Sequence, residues 1–167
     1  IKAYLFNPIV VSVSLILGGV ILLLIDKKVT AQSSSVMEVE AISYKNAFFI
    51  GLCQCLSMVP GTSRAAATII GGVFNGLNRK QATEFSFLLA VPTMLAAGGY
   101  DLLKADLAFS SDQLMLLGIG FIVAFASAWG AVKLFLTYVS THGFRAFGWY
   151  RIALGILFLI FMWGADL

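Results

Sequence analysis

Charge is what this chain has least of: only 11% of its 167 residues are Asp, Glu, Lys or Arg, against 60% hydrophobic. A water-soluble domain carries about 25% charged residues. The shortfall excludes a surface bathed in water on all sides, and a mean hydropathy of +0.95 makes lipid the solvent for much of it. Histidine is almost absent, His142 standing alone, and the two cysteines, Cys53 and Cys55, lie two apart in an apolar run. No cysteine–histidine cluster can be assembled from these. Positions i and i+2 do not face each other on a helix, so the cysteines read as small buried thiols, not as a disulfide or metal ligands. The 11 basic residues outnumber the 8 acidic ones, yet they fall in short loops between apolar runs and form no patch, which excludes nucleic acid as a partner. No signal peptide is visible, and the opening on Ile1 in place of Met reads as a fragment or a processed chain.

What is present is a series of apolar runs. Residues 9–25 are apolar apart from Ser12, Ser14 and two glycines, and end at Asp26-Lys27-Lys28. Roughly 17 to 20 such residues cross a hydrocarbon core. Thr30 to Lys45 is polar and reads as a surface loop. Further spans are expected at 82–100, with Glu84 near its start and Pro92 in its middle, at 114–139, with Lys133 near one end, and at 149–163, whose Trp149, Tyr150 and Trp163 suit the membrane interface. Between the first two spans, 46–59 and 65–74 are apolar arms too short to cross, parted by Pro60-Gly61. The expected fold is all-α. It is a polytopic membrane helix bundle in a single domain over 1–167, with four spans and one re-entrant helix–loop–helix. Irregular backbone at membrane depth is tolerated only where protein or a wet cavity surrounds it.

Re-entry puts Lys27, Lys28, Lys45, Arg79, Lys80 and Arg145 on one side, and Lys2, Lys104, Asp101, Asp106, Asp112 and Asp166 on the other. The positive-inside rule makes the first side cytoplasmic and the C-terminus external.

Chemistry centres on Pro60-Gly61-Thr62-Ser63-Arg64. Pro60 removes a backbone donor, Gly61 permits a turn closed to other residues, and Thr62 or Ser63 can cap the second arm. That arm then presents free N–H groups and a positive dipole end towards the membrane interior, a ready anion site. An arginine in the first turn opposes the dipole and is costly to bury alone. An anion resolves both problems, and a phosphate or carboxylate site is expected from Ser63, Arg64, Thr68 and nearby amides, since guanidinium grips phosphate oxygens in a bidentate fork. Thr68 is four residues on, on the same face. Gln54, on the first arm, either bonds the loop or lines the cavity. Glu84 and Arg151, just inside apolar spans on the same side, are expected to pair with each other or with Arg79. Lys133 is expected to snorkel.

The stretch from Gly51 to Arg64, with Ala67-Thr68-Ile69, Gly71-Gly72, Glu84 to Pro92, Asp101-Leu102, Lys104 and Tyr150-Arg151, resembles the undecaprenyl-diphosphate phosphatases, the bacitracin-resistance family. The resemblance runs from the first helix to the C-terminus. It implies a multi-pass enzyme of the bacterial inner membrane that removes the terminal phosphate of undecaprenyl diphosphate and recycles the lipid carrier for peptidoglycan. It also implies an inverted-repeat architecture of which this chain is one half. The family's Ser-Arg falls on Ser63 and Arg64, and its following Thr on Thr68. Where many members read Ser-Arg-Ser-Gly-Ala-Thr, this chain has Ser63-Arg64-Ala65-Ala66-Ala67-Thr68. The family's other signature, with paired glutamates, a serine and a histidine, has no match here. His142 reads as a loop residue.

On this resemblance Arg64 and Ser63 are the catalytic candidates, with Thr62, Thr68, Gly61 and Gln54 binding substrate. A divalent cation, Mg or Ca, is expected, with its ligands outside this chain. Serine is a poor nucleophile without an adjacent base, and none is visible, so Ser63 is read as a binding group. The expected partners are a polyprenyl diphosphate lipid and the bilayer, with a homodimer left open. A broken-helix transporter for an anionic solute is the competing reading. A phosphatase of the phosphatidic-acid type would need histidines that are absent, and a scaffold would not need Arg64 in a break.

Overall fold

The computed structural model describes residues 7–31, 42–104 and 110–165. Lys2, Asp106, Asp166 and most of the polar stretch expected to form a surface loop lie outside the described residues. Among the described residues, six α-helices follow one another: α1 (Pro8–Ala31), α2 (Tyr44–Gln54), α3 (Arg64–Phe74), α4 (Arg79–Lys104), α5 (Ser111–His142) and α6 (Arg145–Ala165). A 3-10 turn, Cys55–Met58, extends α2. Helices α1, α4, α5 and α6 are each long and apolar enough to cross a membrane. The chain is a multi-pass all-α membrane protein. At 1.5 Å per residue, α2 and α3 are about 16 Å long, roughly half a hydrocarbon core of about 30 Å. They fold against each other as a hairpin, Gly71 meeting the Cys53 side chain so closely that a Cβ would lie 3.0 Å from its sulfur.

Every span outruns its apolar stretch, because hydrogen bonding continues where hydropathy stops. The α4 start is fixed by reciprocal bonds: Asn78 N–H donates to Gln81 Oε1 (3.0 Å) and Gln81 N–H to Asn78 Oδ1 (2.9 Å). Ser110 and Gln113 form a capping box at the start of α5. His142, expected in a loop, is the last residue of α5, stacked on Tyr138 at 4.7 Å. The cysteines are free as expected, but Cys53 is only half-buried and Cys55 is exposed, since the 3-10 turn carries the latter to the rim of the hairpin.

Helices α1 and α6 pack closely along small residues; a Cβ on Gly19 would lie 2.7 Å from Gly148 O. Such stripes bring membrane helices together without a hydrophobic driving force. The core lies at one end of the bundle, around Leu22, Ile25, Ile50, Ile69, Val139 and Phe144. A buried carboxylate ties that end together. Asp26, 1% exposed, accepts the Phe144 N–H at 2.9 Å. It pairs with Arg79 at 3.0 Å and Arg145 at 3.2 Å, and its own carbonyl accepts from Arg79 at 2.9 Å. The end of α1 and the starts of α4 and α6 therefore meet in one charged cluster. Gly143 makes it possible: its φ of +73° ends α5, and a Cβ there would lie 2.5 Å from Asp26 Oδ1.

Candidate functional site

The helix break is built by constraints at Val59, Pro60, Gly61 and Ser63. Val59 is extended (φ −77°, ψ 119°) and ends the 3-10 turn. Pro60 and Gly61 then occupy the central positions of a turn closed by Thr62 N–H donating to Val59 O at 3.2 Å. Pro followed by a positive-φ Gly is the pattern of a type II turn, and Gly61 has φ +88°. Ser63 has φ +69°, a strained conformation for a residue with a side chain. Its Oγ nevertheless accepts the Ala66 N–H at 3.3 Å and caps α3. Replacing Gly61 with alanine forces a left-handed residue, costing about 1–2 kcal/mol, and a Cβ there would lie 2.5 Å from Val11 O. The expected result is a loss of at least that stability in a thermal unfolding series; an unchanged unfolding temperature would show that the turn is not held as described.

Arg64 opens α3. The N–H groups of Arg64 and Ala65 belong to the first turn and have no acceptor within the helix. The Ser63 hydroxyl, accepting from Ala66, keeps its own proton to donate. The Arg64 guanidinium is half-buried, and its one side-chain hydrogen bond among the described residues runs from Nη1 to Thr93 Oγ1 (3.1 Å). Thr93 turns its proton back onto Leu89 O and Ala90 O, leaving a lone pair for the arginine. No carboxylate pairs with Arg64 among the described residues. Thr93 had drawn no notice in the sequence, though its place one residue after Pro92, in mid-helix, was a signal. Together these groups form a set of donors with the positive end of a helix behind them, a chemistry suited to a phosphate or a carboxylate.

Two expectations change. Thr68 does share the Arg64 face, but that face packs on α4: Thr68 is 1% exposed, its hydroxyl 2.6 Å from Ser86 Oγ and bonded back to Arg64 O and Ala65 O. It supports α3 from inside. Glu84 and Arg151 do not pair. The Glu84 carboxylate stands 3.7 Å from Lys80 in an i,i+4 contact, and Arg151 reaches the break. Its Nη2 donates to Gly61 O (2.7 Å) and Thr62 O (3.0 Å), with Ser14 O at 3.5 Å. Backbone carbonyls of the turn thus replace the carboxylate as partner, and Gly18 leaves room for the guanidinium, since a Cβ there would meet Nη2 at 2.5 Å. Arg151 is a brace that holds Gly61 and Thr62 in place behind Ser63.

Gln54 ends α2, and its side-chain oxygen is buried with no hydrogen-bond partner among the described residues; it makes no bond to Ser63 or Arg64. His142 bonds Thr141 and stacks on Tyr138. Lys133 lies over the Trp129 ring at 5.7 Å. Among the described residues, no three of His, Cys, Asp and Glu stand together as a group able to hold a metal ion.

A half-length helix whose N-terminus carries an arginine without a carboxylate partner among the described residues, set with four membrane-length helices, defines a multi-pass membrane protein with a broken helix. A family model described as "Bacitracin resistance protein BacA" matches residues 1–157. The chain belongs to the bacitracin resistance protein BacA family. It is 48% identical over 163 residues to "Undecaprenyl-diphosphatase 1" of Chromobacterium violaceum, covering 98% of this chain and 60% of the relative. It is 48% identical over 162 residues to "Undecaprenyl-diphosphatase 3" of Acinetobacter baylyi, covering 97% and 60%. It is 46% identical over 163 residues to "Undecaprenyl-diphosphatase 2" of Rhodospirillum rubrum, covering 98% and 59%. The chain thus spans about three-fifths of the length of these curated relatives.

Proposed function

We propose that the protein hydrolyses undecaprenyl diphosphate to undecaprenyl phosphate and inorganic phosphate, and that this chain supplies the anion clamp. The observation that carries the reading is the Arg64 guanidinium at the start of α3, whose one side-chain hydrogen bond among the described residues is to a neutral hydroxyl. The names of the relatives supply the substrate class. In the reaction, an oxygen from water bonds the terminal phosphorus, the bridging P–O bond breaks, and the lipid phosphate leaves with the bridging oxygen. Arg64 and the first amides of α3 oppose charge on the phosphoryl oxygens, where positioning and electrostatics supply most of the catalysis. Ser63 donates a hydrogen bond to the same oxygens. The described residues hold no group of three His, Cys, Asp or Glu side chains that could bind a divalent cation; we place the ligands of any such ion outside this chain. The bacterial inner membrane, with the charged cluster at Asp26 cytoplasmic and the C-terminus periplasmic, fits the distribution of Lys27, Arg79, Lys80 and Arg145.

The test is a phosphate-release assay on purified full-length protein in detergent with undecaprenyl diphosphate. Release of one phosphate per lipid, with the monophosphate as product, is expected. Intact diphosphate, with uptake of an anion into liposomes carrying the protein, would overturn the reading in favour of a transporter.

A further inference from the structure

A cavity of about 270 Å³ lies beside the break, between α1, α3, α5 and α6. Its walls are apolar: Leu22, Ala65, Ile69, Phe135 and Phe147 among others, with the Phe135 and Phe147 rings 4.9 Å apart. Its polar residues include Ser63 and Arg151. Arg151 is only 8% exposed, and its Nε has no hydrogen-bond partner among the described residues. Buried donors are nearly always satisfied, so the Nε is a donor suited to a polar group at this site. A greasy cavity with one unsatisfied cationic donor matches a molecule that changes from phosphate to hydrocarbon along its length.

We propose that this cavity seats the isoprene units next to the diphosphate of the lipid substrate, an inference that rests on the phosphatase reading above. Ser63 links the two regions. It lines the cavity and directly precedes Arg64, so phosphates held on the first amides of α3 place the lipid's linking oxygen at the polar residues, within reach of Arg151. The chain then enters the apolar part, where burial against Ile69, Phe135 and Phe147 removes it from contact with water and polar groups. A larger groove of about 660 Å³, lined by Ile9, Ile156, Leu159, Ile160, Met162 and Trp163, has no charged residue and no link to the break. It competes for hydrocarbon but not for the head–tail junction.

The experiment uses full-length protein and a prenyl diphosphate carrying a photoreactive diazirine on the isoprene unit nearest the phosphates. Label on residues 65–69, Phe135 or Phe147 is expected. Label confined to 156–163 or to the outer face of α5, in protein that still releases phosphate from the natural lipid, overturns the subsite, as it would if the rest of the full-length chain filled the cavity. Absence of phosphate release from the natural lipid would instead defeat the phosphatase reading itself. A second arm narrows the cavity with Ala65→Phe, a half-buried position. Relative to wild type, kcat/KM for the long-chain lipid should fall about tenfold or more compared with kcat/KM for methyl diphosphate, a range typical of hydrocarbon discrimination. An equal fall for both substrates contradicts the proposal.

Discussion

Replacing Arg64 with alanine is expected to reduce phosphate release by the full-length protein about 10³-fold or more, the range by which arginines that neutralise transferring phosphoryl groups accelerate the reaction. The size follows from what surrounds the guanidinium. Its side chain has one hydrogen bond, to Thr93 Oγ1 at 3.1 Å, and no carboxylate partner among the described residues, so little of its charge is spent on the protein. Removing it leaves Thr93 bonded within its own helix and exposes no buried acid, so the unfolding temperature should change little while turnover collapses. Arg64→Lys keeps the charge and loses the planar fork, and should recover only part of the rate. Turnover within a few-fold of wild type in the alanine variant, measured as inorganic phosphate released, would remove the arginine from the reaction.

The largest expected effect on stability is at the opposite end of the bundle. Asp26→Ala removes the carboxylate shared by Arg79 Nε at 3.0 Å, Arg145 Nε at 3.2 Å and the Phe144 N–H at 2.9 Å. Taking one partner from a buried ion pair costs about 3–5 kcal/mol. Most of that falls on Arg79 and the Phe144 amide, because the Arg145 side chain is 63% exposed and water compensates exposed charges. Asp26→Asn keeps an acceptor for Phe144 and should lose less. Thermal unfolding of the full-length variants in detergent checks the order wild type, Asn, Ala. Equal midpoints for all three would show that the cluster does not hold α1, α4 and α6 together.

These two sites differ in how much of them the sequence could reveal. The four spans were legible because crossing a bilayer takes roughly 20 apolar residues, a pattern local in the chain. Their ends were not, because α1 continues helical through Asp26 and Lys27 to Ala31, and helix hydrogen bonding is indifferent to the polarity that marks the water boundary. Pro60-Gly61 announced the break, and residue type narrowed the cap to Thr62 or Ser63, of which Ser63 is the one that caps α3. The partners across the fold were illegible. Arg151 donates to a turn 89 and 90 residues away, and Asp26 accepts from an amide 118 residues away; no periodicity encodes such pairs. The Glu84–Arg151 pairing failed for the same reason, since a buried cation can be satisfied by carbonyls as well as by acids, and carbonyls occur at every residue. Thr68 shows the limit of helix-face arithmetic. The spacing placed it correctly beside Arg64, but not which neighbour that face meets, and α4 meets it with Ser86.

The most direct test of the central claim separates binding from turnover. A non-hydrolysable polyprenyl diphosphate analogue with a methylene bridge between the phosphorus atoms can be titrated into full-length protein in nanodiscs, wild type against Arg64→Ala. The expected result is a dissociation constant raised about tenfold or more, the worth of a charge-assisted hydrogen bond to an ionised group, in a variant that unfolds at the wild-type temperature. An unchanged dissociation constant would contradict it.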